Sequence, residues 1–553
     1  MAMGMPYGLQ AMLKEGHKHF SGVEEAVMKN IEACKALAQM TKTSLGPNGM
    51  NKMVINHLEK LFVTSDASTI VTEMDVYHPA AKLLVMAAKA QAGEVGDATN
   101  LVLTLAGELL GNAEVLLRDG LHTSEIAEGY QRASDKALSV LESLVLPGTD
   151  TLDVKDKAAV ALRLRGAISS KQLGYEDLLA LKQLGYEDLL APLIAEACID
   201  VVPSNPHNFN VDNVRIVKIM GGALPDSQVV KGMVLKRDAE GSVKCVENAK
   251  VVVYAQGVDT SGPETKGTVL IKSAEELEGY SRSEEEKLEQ YVKAIADSGA
   301  KVIVSGGAIG EMAMHFIEKY GLLALRIPSK FDMRRFCRAT GAVAIVKLQA
   351  PQPDELGFAK QIEVREVGGA NCVVLQQDAS LGSVATLVLR GSTEGFLDDV
   401  ERAVDDGINA YKALCRDARC VPAGGASEIE MARQVADFGK KQTGLDQYAI
   451  ARFAEALEVV PRTIAENSGL QASEVLARLY AAHAQGQVNA GVCIESGAPK
   501  DLAAEGIMDV YAAKWWAVRL ATDAVVTVLK VDQIIMAKQA GGPKPRAGDG
   551  DDD

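Results

Sequence analysis

Apolar residues near the start of the chain recur at helical spacing. Ser21-Gly22-Val23-Glu24 has the pattern of a capping box, and apolar side chains follow every three or four positions from Val27 to Ala38. Gly46 and Pro47 predict the end of this helix. Two short apolar runs, residues 53–55 and 61–63, then predict a hairpin.

Helical spacing returns after this hairpin. Pro79 stands at the favoured first position of a helix, and the helical pattern continues to about residue 145, with a stop at Gly120 and a boundary at Pro147-Gly148. A second helical region extends from about residue 393, where Thr393 is a predicted cap, to about residue 538. The Gly-, Pro- and Asp-rich stretch 541–553 is predicted to be a disordered tail.

The middle of the chain alternates between strands and helices. The pattern predicts strands at 249–254, 301–305, 322–327 and 342–346, and helices at 275–298, 310–320 and 331–340. Such alternation predicts parallel strands covered by helices, and two more strands are predicted at 371–376 and 385–390. Because helical ends flank an α/β middle, we expect one domain built from both chain ends with another inserted in it.

Composition narrows the class of protein. The 553 residues exceed what one core usually holds, and 58 basic against 74 acidic side chains give a net charge of −16. An acidic chain without a clustered basic footprint argues against nucleic acid as the main partner. The eight cysteines are scattered without a C-x-x-C pair, which indicates reduced thiols inside a cell. Charged residues 14–18 interrupt any signal peptide, and no uninterrupted apolar run reaches membrane-spanning length.

Gly96-Asp97-Ala98-Thr99-Asn100 is the first stretch that suggests chemistry. A small-residue turn that opens a helix leaves amide N–H groups unpaired, which suits phosphate, and a carboxylate beside phosphate makes sense if Mg²⁺ bridges the two. The alternative is that Asp97 is an ordinary N-cap. Asp66, in Ser65-Asp66-Ala67, is a second acidic helix start, for which the capping interpretation is favoured.

An exact repeat lies after the first helical region. Residues 171–180 recur letter for letter as 182–191, with a period of eleven residues. Eleven residues make almost three helical turns, so such an insertion would keep an amphipathic face in register. The exact repeat is equally consistent with a recent duplication and with a gene-model artefact.

Five runs, in their order along the chain, together resemble the signature motifs of group II chaperonins: residues 44–53, 64–70, 78–83, 96–99 and 421–426. The match to this family covers nearly the whole chain. Four longer runs resemble one subunit type of the eukaryotic cytosolic members in particular: residues 18–22, 54–62, 401–406 and 531–538.

The resemblance implies a multidomain α/β protein with three kinds of domain. It implies a mostly helical equatorial ATPase domain from both chain ends, a small α/β intermediate domain, and an α/β apical substrate-binding domain with a helical lid protrusion. The corresponding boundaries are 1–148 and 411–540 for the equatorial domain, 149–221 (with the repeat) and 371–410 for the intermediate domain, 222–370 for the apical domain, and 541–553 for the tail.

The resemblance also implies a site for ATP or ADP with Mg²⁺. Asp97 would be the metal ligand, Asp406 the catalytic aspartate, and Asp66 a second catalytic carboxylate near the γ-phosphate. The nucleotide would be lined by Leu45, Gly46, Pro47, Asp97, Ala98, Thr99, Asn100, Leu101, Ser169, Ser170, Lys171, Gly424, Gly425, Asp509 and Lys514. Lys171 is preferred to its repeat copy Lys182 because it keeps the two preceding serines.

The implied function is that of an ATP-dependent chaperone subunit in the cytoplasm. Hydrolysis would drive closure of a double-ring chamber around unfolded proteins such as cytoskeletal clients, with other paralogous subunits as ring partners and neither nucleic acid nor membrane involved. Clients would contact the helix at 331–340 and the lid segment near 258–281.

The chain departs from the family pattern at four positions. Ala67, Ala98 and Ala423 stand where glycine is usual, and Asn100 where threonine is usual. An added Cβ could weaken nucleotide binding or slow turnover. The alternative function is therefore a weakly hydrolysing, architectural and client-binding subunit of the same ring. An unrelated metabolic ATP-dependent enzyme is disfavoured, because the eight histidines are dispersed.

Overall fold

The structure is a computed structural model that describes residues 19–20, 23–169, 186–259, 274–377 and 384–535. The predicted tail, Ser170, Lys171, the first repeat copy and the start of the second lie outside these residues, as do Ser21 and Gly22. The first part of the chain forms β1 (His19–Phe20), α1 (Val23–Lys42), β2 (Lys52–Ile55), β3 (Leu61–Thr64), α2 (Ala67–Glu73), α3 (Pro79–Glu94), α4 (Thr99–Arg118) and α5 (Thr123–Ser143).

The middle of the chain carries the large sheet. Its elements are α6 (Lys157–Ser169), α7 (Tyr186–Val201), β4 (Val214–Met220), β5 (Gln228–Leu235), β6 (Cys245–Tyr254), α8 (Ala274–Asp297), β7 (Ala300–Ser305), α9 (Glu311–Lys319), β8 (Leu323–Arg326), α10 (Lys330–Thr340), β9 (Ala344–Ile345), β10 (Gly357–Val367), β11 (Ala370–Gln376) and β12 (Ala385–Gly391).

The last part is mostly helical. It contains α11 (Glu394–Arg416), β13 (Cys420–Pro422), α12 (Ala426–Gly439), α13 (Asp446–Leu457), α14 (Val459–Asn467), α15 (Ala472–Ala484), β14 (Ala490–Val492), β15 (Pro499–Asp501), β16 (Met508–Val510), α16 (Tyr511–Leu529) and β17 (Ile534–Ile535).

Helices from both chain ends share one hydrophobic cluster. Leu105 of α4, Tyr130 of α5, Phe453 of α13 and Val525 of α16 are all fully buried in it. Helix α4 is long and apolar enough to cross a membrane by length and composition, and 61% of its most apolar window is buried in the protein. Residues 101–107 of α4 are all buried, which explains why this part of the helix is almost wholly apolar, whereas Glu108, Asn112 and Glu114 in its second half are only partly buried.

The predicted alternation in the middle of the chain is confirmed, and the sheet is larger than predicted. β6 pairs in parallel with β7 and β9, and β7 pairs in parallel with β8. The strand order is β4-β12-β5-β11-β10-β6-β7-β8, and the pairings of β10 with β6 and β11, and of β5 with β11 and β12, are antiparallel. The strands predicted from the alternation are therefore parallel to one another as expected, and every antiparallel pairing of this sheet includes β5 or β10, which were not predicted.

Neighbouring residues of the parallel strands are buried in different clusters. Val251 and Val253 belong to one cluster, whereas Val252 and Tyr254 belong to another. Strands that are covered on both faces appear as continuous apolar runs, which made them easy to predict. The predicted boundary between residues 370 and 371 falls within the hairpin of β10 and β11.

A fourth cluster joins α6, α7 and α11. It contains Leu164, Ile194 and Ile408, all fully buried. Helix α11 carries Asp406, so the packing in this cluster fixes the position of the helix that carries that carboxylate. All eight cysteines lie within the described residues and are free thiols, as predicted.

Candidate nucleotide site

Helix α4 begins without a side-chain cap. Its N-cap residue is Ala98, in the left-handed conformation with φ of 64°, and the Ala98 amide donates to Asp97 Oδ1 at 2.6 Å. The alternative that Asp97 is the N-cap of this helix is therefore wrong. The N-cap residue itself supplies no side-chain cap, and the positive end of the helix dipole at this start suits an anion.

A second long helix begins in the same way. Gly424 and Gly425 have φ of 66° and 83°, and α12 starts directly after them without a side-chain cap. The left-handed conformation explains the two glycines, since a Cβ is strained there. Ser427 Oγ donates to the Pro422 carbonyl at 2.6 Å, which fixes the turn from the inside.

Three aspartates from separate elements meet at one small cavity of about 80 Å³. Asp66 precedes α2, Asp97 precedes α4, and Asp406 lies on α11. Asp66 caps α2 by accepting from the Thr69 amide at 2.9 Å and its hydroxyl at 2.7 Å, which confirms the capping interpretation and still leaves the residue in the cavity wall. The other lining residues are Ser44, Leu45, Gly46, Ser65, Ala67, Ala98, Thr99, Asn100 and Leu101.

Glycine allows α11 to approach this turn. A Cβ built on Gly96, which has φ of 83°, would lie 2.2 Å from Asn409 Cβ on α11. Asn409 is one helical turn after Asp406, so the contact places Asp406 beside the start of α4.

A larger cavity of about 450 Å³ continues from the small one. The two share Leu45, Gly46, Asp97, Ala98 and Leu101. The larger one is also lined by Pro47, Ser169, Gly424, Gly425, Asp509 and Lys514. Every predicted site residue that the structure describes therefore lines one or both cavities, and Ser170 and Lys171 lie outside the described residues.

The far wall of the larger cavity was not predicted. It consists of apolar side chains that suit a flat base: Val460 and Ile464 from α14, Val492 at the end of β14, and Ile494 and Ile507 from loops. Nothing in the local pattern of α14, β14 or the loop residues distinguishes these side chains from other apolar ones, so the chain offers no signal for them.

The small cavity fits an anion with a metal ion. Ser44 Oγ and Asn100 Nδ2 line it, are buried, and have no hydrogen-bond partner among the described residues. Asn100 Oδ1 already accepts from Thr104 Oγ1 at 3.1 Å, so the unpartnered amide nitrogen is a donor in need of an acceptor. No group of three or more His, Cys, Asp or Glu side chains in the described part of the chain could hold a metal alone. Mg²⁺ held by one carboxylate and phosphate oxygens fits this arrangement.

The larger cavity ends at a buried group of charges. Lys514 Nζ lies 2.8 and 3.0 Å from the two carboxylate oxygens of Glu428 and 2.9 Å from Asp509 Oδ2, and donates to the Pro422 carbonyl at 3.3 Å. Burial alone would lower the pKa of Lys514, but the charges of Asp509 and Glu428 raise it above its usual value. Sequence reasoning missed Glu428; its position three residues after Gly425 was the available signal.

Gly166 of α6 is predicted to tolerate no side chain. A Cβ there would lie 2.2 Å from the Met508 carbonyl oxygen of β16, beside the cavity. We expect Gly166→Ala to lower the unfolding free energy by about 1–3 kcal/mol through overpacking and to weaken ADP binding, as measured by thermal melting and calorimetry. Gly93→Ala on α3 is the matched control, because nothing lies within 4 Å of its Cβ; equal melting temperatures for the two variants would contradict the expectation.

Comparison with known proteins gives a consistent assignment. A model of the TCP-1/cpn60 chaperonin family matches residues 37–539. T-complex protein 1 subunit theta of Arabidopsis thaliana is 56% identical over 539 residues, which cover 98% of this chain and 96% of that protein. The subunit theta of Homo sapiens is 52% identical over 559 aligned positions that cover both chains fully, and that of Dictyostelium discoideum is 48% identical over 538.

The subunit type indicated by the four longer runs is theta, and the relatives confirm that resemblance over the full length. The family match spans the helices of both ends and the sheet between them. The chain therefore belongs to the TCP-1/cpn60 chaperonin family.

Proposed function

We propose that this chain binds Mg²⁺ and ATP in the two joined cavities and hydrolyses ATP as one subunit of a hetero-oligomeric chaperonin double ring in the cytoplasm. One observation carries the proposal. Three carboxylates from separate elements line the small cavity at the start of α4, and the start of α12 lines the larger cavity joined to it, which is the combination that phosphate, a divalent cation and an attacking water require.

Each group has a role in this proposal. The amides at the starts of α4 and α12, with Ser44 and Asn100, bind the phosphates, and the apolar far wall takes the base. Mg²⁺ held by Asp97 would neutralise phosphate charge when bound. Asp406 accepts a proton from the attacking water or orients it. Asp66, at the start of α2, assists Asp406.

The placement of Asp406 suggests how hydrolysis and closure are coupled. Its helix packs with α6 and α7 in a core separate from that of the equatorial helices. Movement of this intermediate unit would bring Asp406 toward the phosphates or withdraw it, so that catalysis follows closure. The domain boundaries implied by the family resemblance are part of this proposal.

Unfolded clients, including cytoskeletal proteins, are proposed to contact the apical unit around α10. Phe331 is 75% exposed, and Val343 and Val346 are 52% and 62% exposed on the segment that follows. Exposed apolar side chains are a suitable surface for unfolded chains. Most of the proposed lid segment, 260–273, lies outside the described residues.

One observation favours the alternative of a weakly hydrolysing, architectural subunit. Ala98 has positive φ and lines both cavities, so its Cβ is strained by about 1 kcal/mol or more and stands where phosphate approaches. Ala67 and Ala423 show no positive φ, since Ala67 is the first residue of α2 and Ala423 is a buried residue before the glycine turn. Only Ala98 among these three therefore carries the argument for slow turnover.

Replacing Ala98 by glycine tests this alternative. We expect Ala98→Gly to raise nucleotide affinity by about fivefold, equivalent to roughly 1 kcal/mol, because the strained Cβ leaves the phosphate path. The measurement is titration calorimetry with ADP and Mg²⁺. Unchanged or weaker binding would show that this Cβ does not limit the site.

The proposed function is tested on the complex isolated through a tag on this chain. Photo-crosslinking with azido-ATP labelled at the α- or γ-phosphate reports on this chain alone, because the labelled band is identified by mass. Mg²⁺-dependent loss of the γ-label with retention of the α-label is expected. Retention of both labels would favour the architectural alternative, and the absence of either label would reject the nucleotide site.

A further inference from the structure

The side chain of Gln91, near the end of α3, joins two walls of the larger cavity. It is fully buried and does not itself line either cavity. Its amide nitrogen Nε2 donates to the Asp97 carbonyl at 2.8 Å and to the Ala513 carbonyl at 3.0 Å. Asp97 and Ala513 both line the larger cavity. Gln91 therefore connects the turn before α4 to the first turn of α16.

The two carbonyls determine which end of the Gln91 side chain faces them. A primary amide nitrogen has two N–H donors, and the two carbonyl oxygens use both of them. The side-chain oxygen Oε1 is buried and has no hydrogen-bond partner among the described residues. A buried acceptor without a partner lowers stability. The contribution of Gln91 to stability is therefore expected to be smaller than that of a buried glutamine whose oxygen is also paired.

The main chain of Gln91 holds the same turn. Its carbonyl accepts from the Val95 amide at 3.0 Å and from the Gly96 amide at 3.1 Å. With the bond to the Asp97 carbonyl, Gln91 contacts three consecutive residues of the turn. On the other side, the Asp97 carboxylate accepts from the Ala98 amide at 2.6 Å. The backbone that carries the Asp97 carboxylate is thus fixed by both the main chain and the side chain of Gln91.

We propose that Gln91 is a positioning residue for Mg²⁺, which holds the Asp97 carboxylate in place against the start of α16. The inference rests on the proposed nucleotide site. Mg²⁺ requires a nearly octahedral arrangement of its ligands, so a small displacement of Asp97 weakens metal binding more than it weakens phosphate contacts with backbone amides. Residues that support metal ligands through hydrogen bonds often change metal affinity by about 10–100-fold.

The test is the Mg²⁺ dependence of nucleotide binding to this chain, in the complex isolated through a tag. Azido-ATP labelled at the α-phosphate is crosslinked at a series of Mg²⁺ concentrations, and the label on this chain is identified by mass. We expect Gln91→Met to raise the Mg²⁺ concentration needed for half-maximal labelling by about tenfold. Labelling by azido-ADP without Mg²⁺ should be unaltered. A purely structural defect would weaken both kinds of labelling.

Gln377→Met is the matched control. Gln377 is also buried, and its Nε2 donates to the Ala339 carbonyl at 3.1 Å and to the Phe358 carbonyl at 2.7 Å. Its Oε1 accepts from the Lys360 amide at 3.2 Å, and it lines neither cavity. This variant loses one more hydrogen bond than Gln91→Met does. It should nevertheless keep the unaltered Mg²⁺ dependence.

A double variant tests whether Gln91 acts through Asp97. Because the effects of residues that act through one another do not add, Gln91→Met combined with Asp97→Asn should show the Mg²⁺ dependence of Asp97→Asn alone. An additive effect of the two substitutions would mean that Gln91 acts elsewhere, and it would overturn the inference.

The remaining outcomes are also decisive. An assembled Gln91→Met variant with the unaltered Mg²⁺ dependence overturns the inference, as does equal weakening of labelling with and without Mg²⁺. If Gln91→Met does not enter the complex, Gln91→Leu is measured in the same way. Failure of both, beside an assembled Gln377→Met variant, would make Gln91 a structural residue and overturn the inference. If the unaltered chain takes up no label at any Mg²⁺ concentration, the proposed nucleotide site fails as well.

Discussion

Asp406→Ala is expected to abolish hydrolysis at this subunit while leaving nucleotide bound. A positioned carboxylate that handles the attacking water contributes about 10²–10⁴-fold to turnover, whereas the proposed phosphate contacts are at the starts of α4 and α12. In the photo-crosslinking experiment the variant chain should retain the γ-label and the α-label equally. The total ATPase of the complex should fall by the share that this subunit contributes.

Asp405→Ala is the control for Asp406. Asp405 precedes it on α11, is exposed, and does not line either cavity. This variant should lose the γ-label at the unaltered rate. If Asp406→Ala also loses the γ-label at that rate, Asp406 has no catalytic role and the site works through other residues.

Asp97→Asn is expected to uncouple the nucleotide from the metal ion. Loss of a charged ligand should raise the Mg²⁺ concentration needed for half-maximal ATP binding by about tenfold or more. Binding of ADP in the absence of Mg²⁺ should be unchanged or tighter, because the carboxylate no longer repels phosphate. Calorimetric titration with ATP at a series of Mg²⁺ concentrations measures both effects.

Asp119→Asn is the control at the other end of the same helix. Asp119 is the C-cap residue of α4 and is exposed. Its substitution should leave the Mg²⁺ dependence unaltered. An unchanged Mg²⁺ dependence in Asp97→Asn would remove Asp97 from the metal site.

The elements that the sequence predicts well are those set by local patterns. Pro79 begins α3, Thr393 caps α11 through the Phe396 amide, and the short apolar runs around Asn56 pair as β2 and β3. Turn chemistry and hydrophobic period act within a few residues, so these features are visible in the chain. The parallel strands β6, β7 and β8 belong to the same class, because burial on both faces leaves continuous apolar runs.

Long-range strand pairing explains why three strands of the large sheet were not predicted from the sequence. β4, β5 and β10 were not predicted, and each pairs with strands distant in the chain: β4 with β12, β5 with β11 and β12, and β10 with β6. β10 follows a stretch with two prolines and alternates buried with charged residues such as Lys360 and Glu363. Its strand conformation depends on partners that a local pattern does not reveal.

The candidate site also combines features that have a local sequence signal with features that depend on residues distant in the chain. The acidic and glycine-rich motifs around Asp66, Asp97 and Gly424 were recognisable, and the structure brings them together. The pairing of Glu428 with Lys514 joins residues 86 positions apart, and the left-handed conformation of Ala98 is uncommon for a residue with a Cβ. Neither feature has a local signal, although both lie at the cavity that is proposed to bind nucleotide.

The most direct test of the central claim is the native mass and symmetry of the complex purified through a tag on this chain. Mass spectrometry gives the subunit composition, and electron microscopy gives the ring symmetry. We predict a double ring in which this chain is one of several different, related subunits. A monomer or a small homo-oligomer from gently lysed cells would contradict the assignment to a hetero-oligomeric chaperonin.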